Sequence, residues 1–166
     1  SRKPGRYATL DHAAKALDIA RESIVLLKND AHLLPLDERN MTRLLVIGAN
    51  ADRIHSNGGG SAVIKALHEV SPLLGLNGEL GGNVEIEYAL GYDAKQINQD
   101  ESWQEESLEN PKGSDAQDVN RARELRDEAV AKARAYAAAG DPVVFIGGLD
   151  HEHDLEGRDR TDMRLP

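Results

Sequence analysis

The feature that most constrains the fold is a short run, Arg43 to Asn50, reading "RLLVIGAN". Leu44 to Ile47 are apolar without interruption, and a Gly-x-Asn turn signal follows. A strand with one wet face alternates apolar and polar residues. An unbroken run of this length is instead the mark of a strand covered on both faces, as in parallel sheets flanked by helices. "DPVVFIGGLD", Asp141 to Asp150, repeats the pattern. "NVEIEYALG", from Asn83, alternates Val84, Ile86 and Tyr88 and reads as a further strand.

Helical spacing fills the intervals. Ala13, Leu17, Ala20, Ile24 and Leu27 predict a helix over Asp11 to Lys28, with Asp11 as N-cap. "NDAHLLPL" then breaks it. Ser71 and Pro72 suit the N-cap and first position of a helix over "SPLLGLNGEL", which Gly81 and Gly82 stop. Ala122, Leu125, Ala129, Ala133 and Ala137 mark a third helix to about Ala139, ended by Gly140. Helix and strand alternate three times, which is the signature of an α/β layered domain with a mainly parallel sheet. Lys95 to Asn120 is acidic and polar and reads as a surface excursion. Its lone tryptophan, Trp103, pins that excursion to the body or serves as a ligand platform, and the first reading is favoured.

Composition excludes several function classes. The formal net charge of -9 argues against nucleic acid or an anionic membrane as partner, since both select basic patches. It is compatible with a neutral ligand. The 166 residues hold no cysteine, so disulfides, thiolate metal sites and a cysteine nucleophile are ruled out. No apolar run approaches the roughly 20 residues of a membrane span. The first ten residues, "SRKPGRYATL", contain no signal-peptide core. The compartment stays open, with a secreted or periplasmic location among the possibilities.

Ligands of open parallel sheets gather at the carboxyl ends of the strands. Two loops stand out there. "GANADRIHSNGGGSA" follows the first strand, and its glycines leave backbone N–H groups free as a phosphate nest would need. It has no G-x-G-x-x-G and no G-K-[ST], and the glycines come too late for a dinucleotide turn. A plain flexible loop is therefore favoured. "GLDHEHDLEGRDR" follows the last strand and carries His151, Glu152, His153, Asp154, Glu156 and Asp159. Its histidines stand two apart, whereas catalytic zinc signatures are more widely spaced and usually helical. Metal is the minor reading. A solvated charge cluster is the default, and acid/base chemistry by an oriented carboxyl is the third reading.

Several motifs, taken in order, resemble family 3 glycoside hydrolases. "ESIVLLKND" followed by "LLPL" is similar to the entry segment of that family's second domain. "LLVIGANAD", "GGGSAVI" and "SPLLGL" follow in the family's order. "GLDHEHDLEGRDRTDMRLP" resembles its E-G-x-D-R-x-x-x-x-L-P segment. The match runs from about Asp11 to Pro166, with Lys95 to Asn120 unmatched.

The resemblance implies a layered α/β/α sandwich that packs on a (β/α)8 barrel. Residues 1–10 would be a linker from that barrel, and 11–166 part of the sandwich with a polar insert at 95–120. The family's barrel supplies an aspartate nucleophile, so the nucleophile is expected outside this chain. The second domain supplies the general acid/base, and the pattern's glutamate falls on Glu156. The serine of the Gly-rich loop that meets the sugar falls on Ser61. Asp159 and Arg160 match the D-R of the pattern and would brace the loop. The implied activity is that of a retaining exo-acting β-glycosidase, a β-glucosidase ahead of a β-xylosidase or an N-acetylglucosaminidase. Its substrate would be a β-linked glucoside or short oligosaccharide, with neither cofactor nor metal. A non-catalytic carbohydrate-binding or scaffold domain is the alternative.

Overall fold

The computed structural model describes residues 4–54, 64–92 and 116–149, the last with side chains from residue 120. The chain divides into two compact units, Ser1–Asp37 and Glu38–Pro166. In the first unit, helix α1 spans Leu10–Ser23. Thr9 caps it, not Asp11: the Thr9 hydroxyl accepts from His12 N at 3.3 Å. Asp11 sits in the first turn, where a negative charge suits the helix dipole. The helix stops five residues short of the expected Lys28. The Ser23 hydroxyl donates to the Ala20 carbonyl at 2.8 Å, competing with the backbone ladder. The β-branched pair Ile24 and Val25 then takes the chain into extended backbone, with Ile24 at ψ 121°. A turn closed by the Asn29 side chain follows, which donates to Leu34 O at 2.8 Å and accepts from Leu34 N at 3.0 Å. The Leu34–Pro35 peptide is cis.

Among the described residues, the second unit holds a parallel three-stranded sheet in the order β2-β1-β3. Strand β1 is Arg43–Ile47, β2 is Glu85–Ala89 and β3 is Val143–Phe145. The described chain is thus an α/β fold, as the run at Arg43 predicted. Helix α2, Pro72–Leu80, lies between β1 and β2 in sequence. Helix α3, Ala116–Ala139, lies between β2 and β3. Leu44, Leu45 and Val46 are fully buried, so β1 is covered on both faces, as its composition requires. Arg43 pairs with Glu85 and Ile47 with Ala89 on one side; on the other, Leu45 pairs with Val143 and Ile47 with Phe145.

The core on one face joins Leu45, Ile47 and Ala89 to Ala129 and Tyr136 of α3. Among the described side chains of α3, Leu125, Ala129 and Tyr136 are buried, while Ala122 and Ala137 of the expected stripe are exposed. Tyr136 fills the place the periodicity gave to Ala137, because a ring one residue earlier reaches the same face. The helix also begins six residues before Ala122, in a stretch, Ala116 to Arg121, that is polar enough to read as loop. Gly140 ends α3 as expected. Its N–H donates to Ala137 O at 3.1 Å and the Asp141 N–H to Tyr136 O at 3.0 Å, a Schellman closure. Ser71 and Gly81 likewise cap α2 at its two ends.

The Schellman turn delivers Asp141 to Arg43, with which it forms an ion pair. The Arg43 guanidinium lies 4.7 Å from the Tyr136 ring centroid. The Tyr136 hydroxyl donates to Glu87 at 2.8 Å, and Lys132 reaches the other Glu87 oxygen at 2.9 Å. This network ties α3 to β1 and β2, with Arg43 and Asp141 beside the amino ends of β1 and β3.

Candidate active site at the carboxyl edge of the sheet

The sheet order makes β1 and β3 neighbours, so the two loops singled out by sequence leave the sheet side by side. Ile146 N donates to Ile47 O at 2.8 Å as the last rung before they part. Gly48 follows at φ +122°, and a Cβ built there would meet the Ile146 carbonyl oxygen at 2.1 Å. Only glycine allows both the backbone angle and the approach. Gly48 N donates to Ala89 O at 3.1 Å, so this one residue touches both neighbouring strands.

The chain then tightens into a 3-10 turn, Ala49–Asp52. Asn50, in this turn, is buried and donates through Nδ2 to the Gly148 carbonyl at 3.2 Å. That bond fixes the amide orientation, because the flipped amide would set oxygen against oxygen. Among the described residues the remaining Asn50 Oδ1 is buried without a hydrogen-bond partner. An orphan of this kind costs about 1–3 kcal/mol. The Tyr92 hydroxyl, just past β2, is a second buried orphan among the described residues, and its ring lies 6.3 Å from that of Phe145 at the end of β3.

Around them, the Tyr88 hydroxyl donates to Gly48 O at 3.2 Å. Burial first, and the nearby Asp52 charge second, push the Tyr88 phenol above its ordinary value, so it stays a neutral donor. The Ser71 hydroxyl donates to Asp52 at 3.3 Å while accepting from Leu74 N at 3.1 Å, linking the turn to the start of α2. The carboxyl edge therefore gathers Asn50, Asp52, Tyr88, Tyr92 and the Gly147–Gly148 exit. Among the described residues no cluster of three or more His, Asp or Glu side chains could hold a metal.

Glu156, Ser61, Asp159 and Arg160 lie outside the described residues, as do His151, Glu152, His153, Asp154 and Trp103. The structure describes the stems that lead to two of these segments: residues up to Ile54 before Ser61, and up to Leu149 before Glu156. Asn50 was legible in sequence only as the end of Gly-x-Asn. Tyr92 had no signal at all, since it follows β2 in a stretch that reads as loop.

A parallel α/β unit with glycine-tightened loops converging at one strand edge defines the class. Residues 24–166 match the model of the glycosyl hydrolase family 3 C-terminal domain, and the chain belongs to that family. It is similar to the β-glucosidase BoGH3A of Bacteroides ovatus, at 35% identity over 99% of this chain and 21% of that protein. A β-xylosidase of Formosa agariphila is 32% identical over 95% of this chain and 18% of its own length. Among solved structures, a β-glucosidase from Erythrobacter marinus aligns with TM-score 0.63 and 31% identity, covering 87% of this chain and 18% of that one. The chain thus spans about a fifth of the length of these relatives. No helix among the described residues is long and apolar enough to cross a membrane.

Proposed function

We propose that this chain is the acid/base-bearing part of a retaining, exo-acting β-glycosidase, in first place a β-glucosidase. The observation that carries the reading is the E-G-x-D-R pattern at Glu156 to Arg160, inside a stretch that matches the family's C-terminal domain. Glu156 is the general acid/base. Its carboxyl group protonates the glycosidic oxygen as the bond to the leaving group breaks. Its carboxylate then takes a proton from the water that opens the glycosyl–enzyme ester. An aspartate outside this chain is the nucleophile, about 5–5.5 Å from Glu156 in a retaining geometry. Residues 11–166 form the sandwich part, with a polar insert at 95–120, and residues 1–10 lead in from a (β/α)8 barrel. Ser61 hydrogen-bonds the sugar, and Asp159 and Arg160 brace the loop by ion pairing. The substrate is a β-linked glucoside or short oligosaccharide. No cofactor or metal takes part in this scheme, because proton transfer and the ester intermediate need only two carboxyl groups.

The test is a panel of aryl β-glycosides on the full-length protein and its Glu156→Ala variant. Substrates with poor leaving groups should slow by roughly 10²–10⁴-fold, the usual size of acid/base assistance. The first step with very good leaving groups should slow far less. Absence of hydrolysis by the wild type on every β-glycoside would leave a non-catalytic sugar-binding domain instead. A preference for xylosides over glucosides would move the assignment to β-xylosidase, as some relatives are named.

A further inference from the structure

We propose that Asn50 is a positioning residue for the acid/base segment, resting on the reading of Glu156 given above. The bond from Asn50 Nδ2 to the Gly148 carbonyl joins the turn after β1 to the exit of β3. It is a side-chain link between segments that stand 98 residues apart in sequence. Past Ile146 the two strands no longer share a ladder rung, so the backbone alone ceases to fix the β3 exit relative to β1. Asn50 takes over at that point. It is itself held: Gly48 pins the turn against Ile146, Ala51 N donates to Gly48 O at 3.0 Å, and Tyr88 donates to the same oxygen.

The energetics also point to function. A residue selected only for packing would not leave an amide oxygen buried and unpartnered. Leucine or valine would fill the space without that cost. The amide's donor holds Gly148, from which the chain runs to Glu156. Proton transfer tolerates little displacement of the carboxyl group: a shift of about 1 Å at a reacting centre can cost about 10²-fold.

The test uses the full-length protein with Asn50→Ala and, as a second variant of unchanged shape, Asn50→Asp, which replaces the donor with an acceptor. Rates are measured on aryl β-glucosides with poor and with very good leaving groups, alone and combined with Glu156→Ala, and melting temperatures are recorded alongside. Positioning predicts a loss of kcat/KM, which reports the first, proton-donating step, of about 10–100-fold on poor leaving groups and much less on good ones. It also predicts that either Asn50 change adds almost nothing once Glu156 is alanine. If one variant fails to fold, the other decides. An equal loss on both substrate classes, or full additivity with Glu156→Ala, or wild-type kinetics in a folded variant, overturns the inference while leaving the acid/base reading intact. If Glu156→Ala behaves like wild type, the acid/base reading falls first and this inference with it.

Discussion

At Gly48 the chain makes its closest approach at the carboxyl edge, and one methyl group measures how much rests on it. Gly48→Ala must relax a backbone angle of +122° and move the Ile146 carbonyl. Backbone strain of this kind alone costs about 1–3 kcal/mol. Gly48→Ala should therefore destabilise the fold by at least about 2 kcal/mol in urea unfolding; a change under about 0.5 kcal/mol would mean that the two loops do not meet as described. Ser61 offers a milder test. If it hydrogen-bonds the sugar, Ser61→Ala in the full-length protein should cost about 0.5–1.5 kcal/mol, at most roughly tenfold in kcat/KM. Unchanged kinetics would return the Gly-rich loop to a plain connector. The sequence made the loop after β1 visible, since Gly-x-Asn and the glycine run are local signals. It could not show that Asn50 meets Gly148, because nothing local encodes that β1 and β3 are neighbours.

The elements were legible where a local pattern coincided with burial. Leu44 to Ile47 gave β1, Ser71-Pro72 gave the start of α2, and Gly140 gave the end of α3. Misreadings came where one local preference overrode another: β-branched Ile24 and Val25 ended α1 although the apolar spacing continued through Leu27. The link between α3 and the sheet was invisible in sequence, as it depends on Lys132 and Tyr136 arriving at Glu87 from another element. It makes a pH prediction. The hydrogen bonds from Lys132 and then Tyr136 hold the Glu87 carboxyl below its ordinary value. A depressed carboxyl contributes stability that is present above its unfolded pKa, about 4.3, and that is lost as pH falls through the lower folded value. Lys132 is raised by the same pair, so its share is lost on the alkaline side, as pH rises through its folded value. Both side chains are partly exposed, which keeps the pair to about 1 kcal/mol or less. Glu87→Gln should thus lower stability by up to about 1 kcal/mol near pH 7 and hardly at all at a pH below the lowered folded value of its carboxyl. A destabilisation of the same size at both pH values would contradict the ion pair.

At the scale of the whole molecule, the proposed two-carboxylate reaction is divided between Glu156 of this chain and an aspartate in a part of the protein outside it. A lone carboxylate cannot form and release a glycosyl ester. The 166-residue chain alone should therefore show no turnover of an aryl β-glucoside, and turnover by a preparation free of other glycosidases would contradict that division. The family was legible because its motifs recur in a fixed order along the chain. The site was legible only as residue types, since its members belong to segments whose meeting is decided by the tertiary fold. The measurement that bears most directly on the central claim is azide rescue in the full-length protein. Azide attacks without losing a proton, so it needs no general base. With Glu156→Ala and a substrate bearing a very good leaving group, added azide should restore turnover and yield the β-glycosyl azide with retained configuration. Rescue of a variant at Glu152 or Asp154 instead, or no rescue at Glu156, would contradict the assignment of Glu156 as the acid/base.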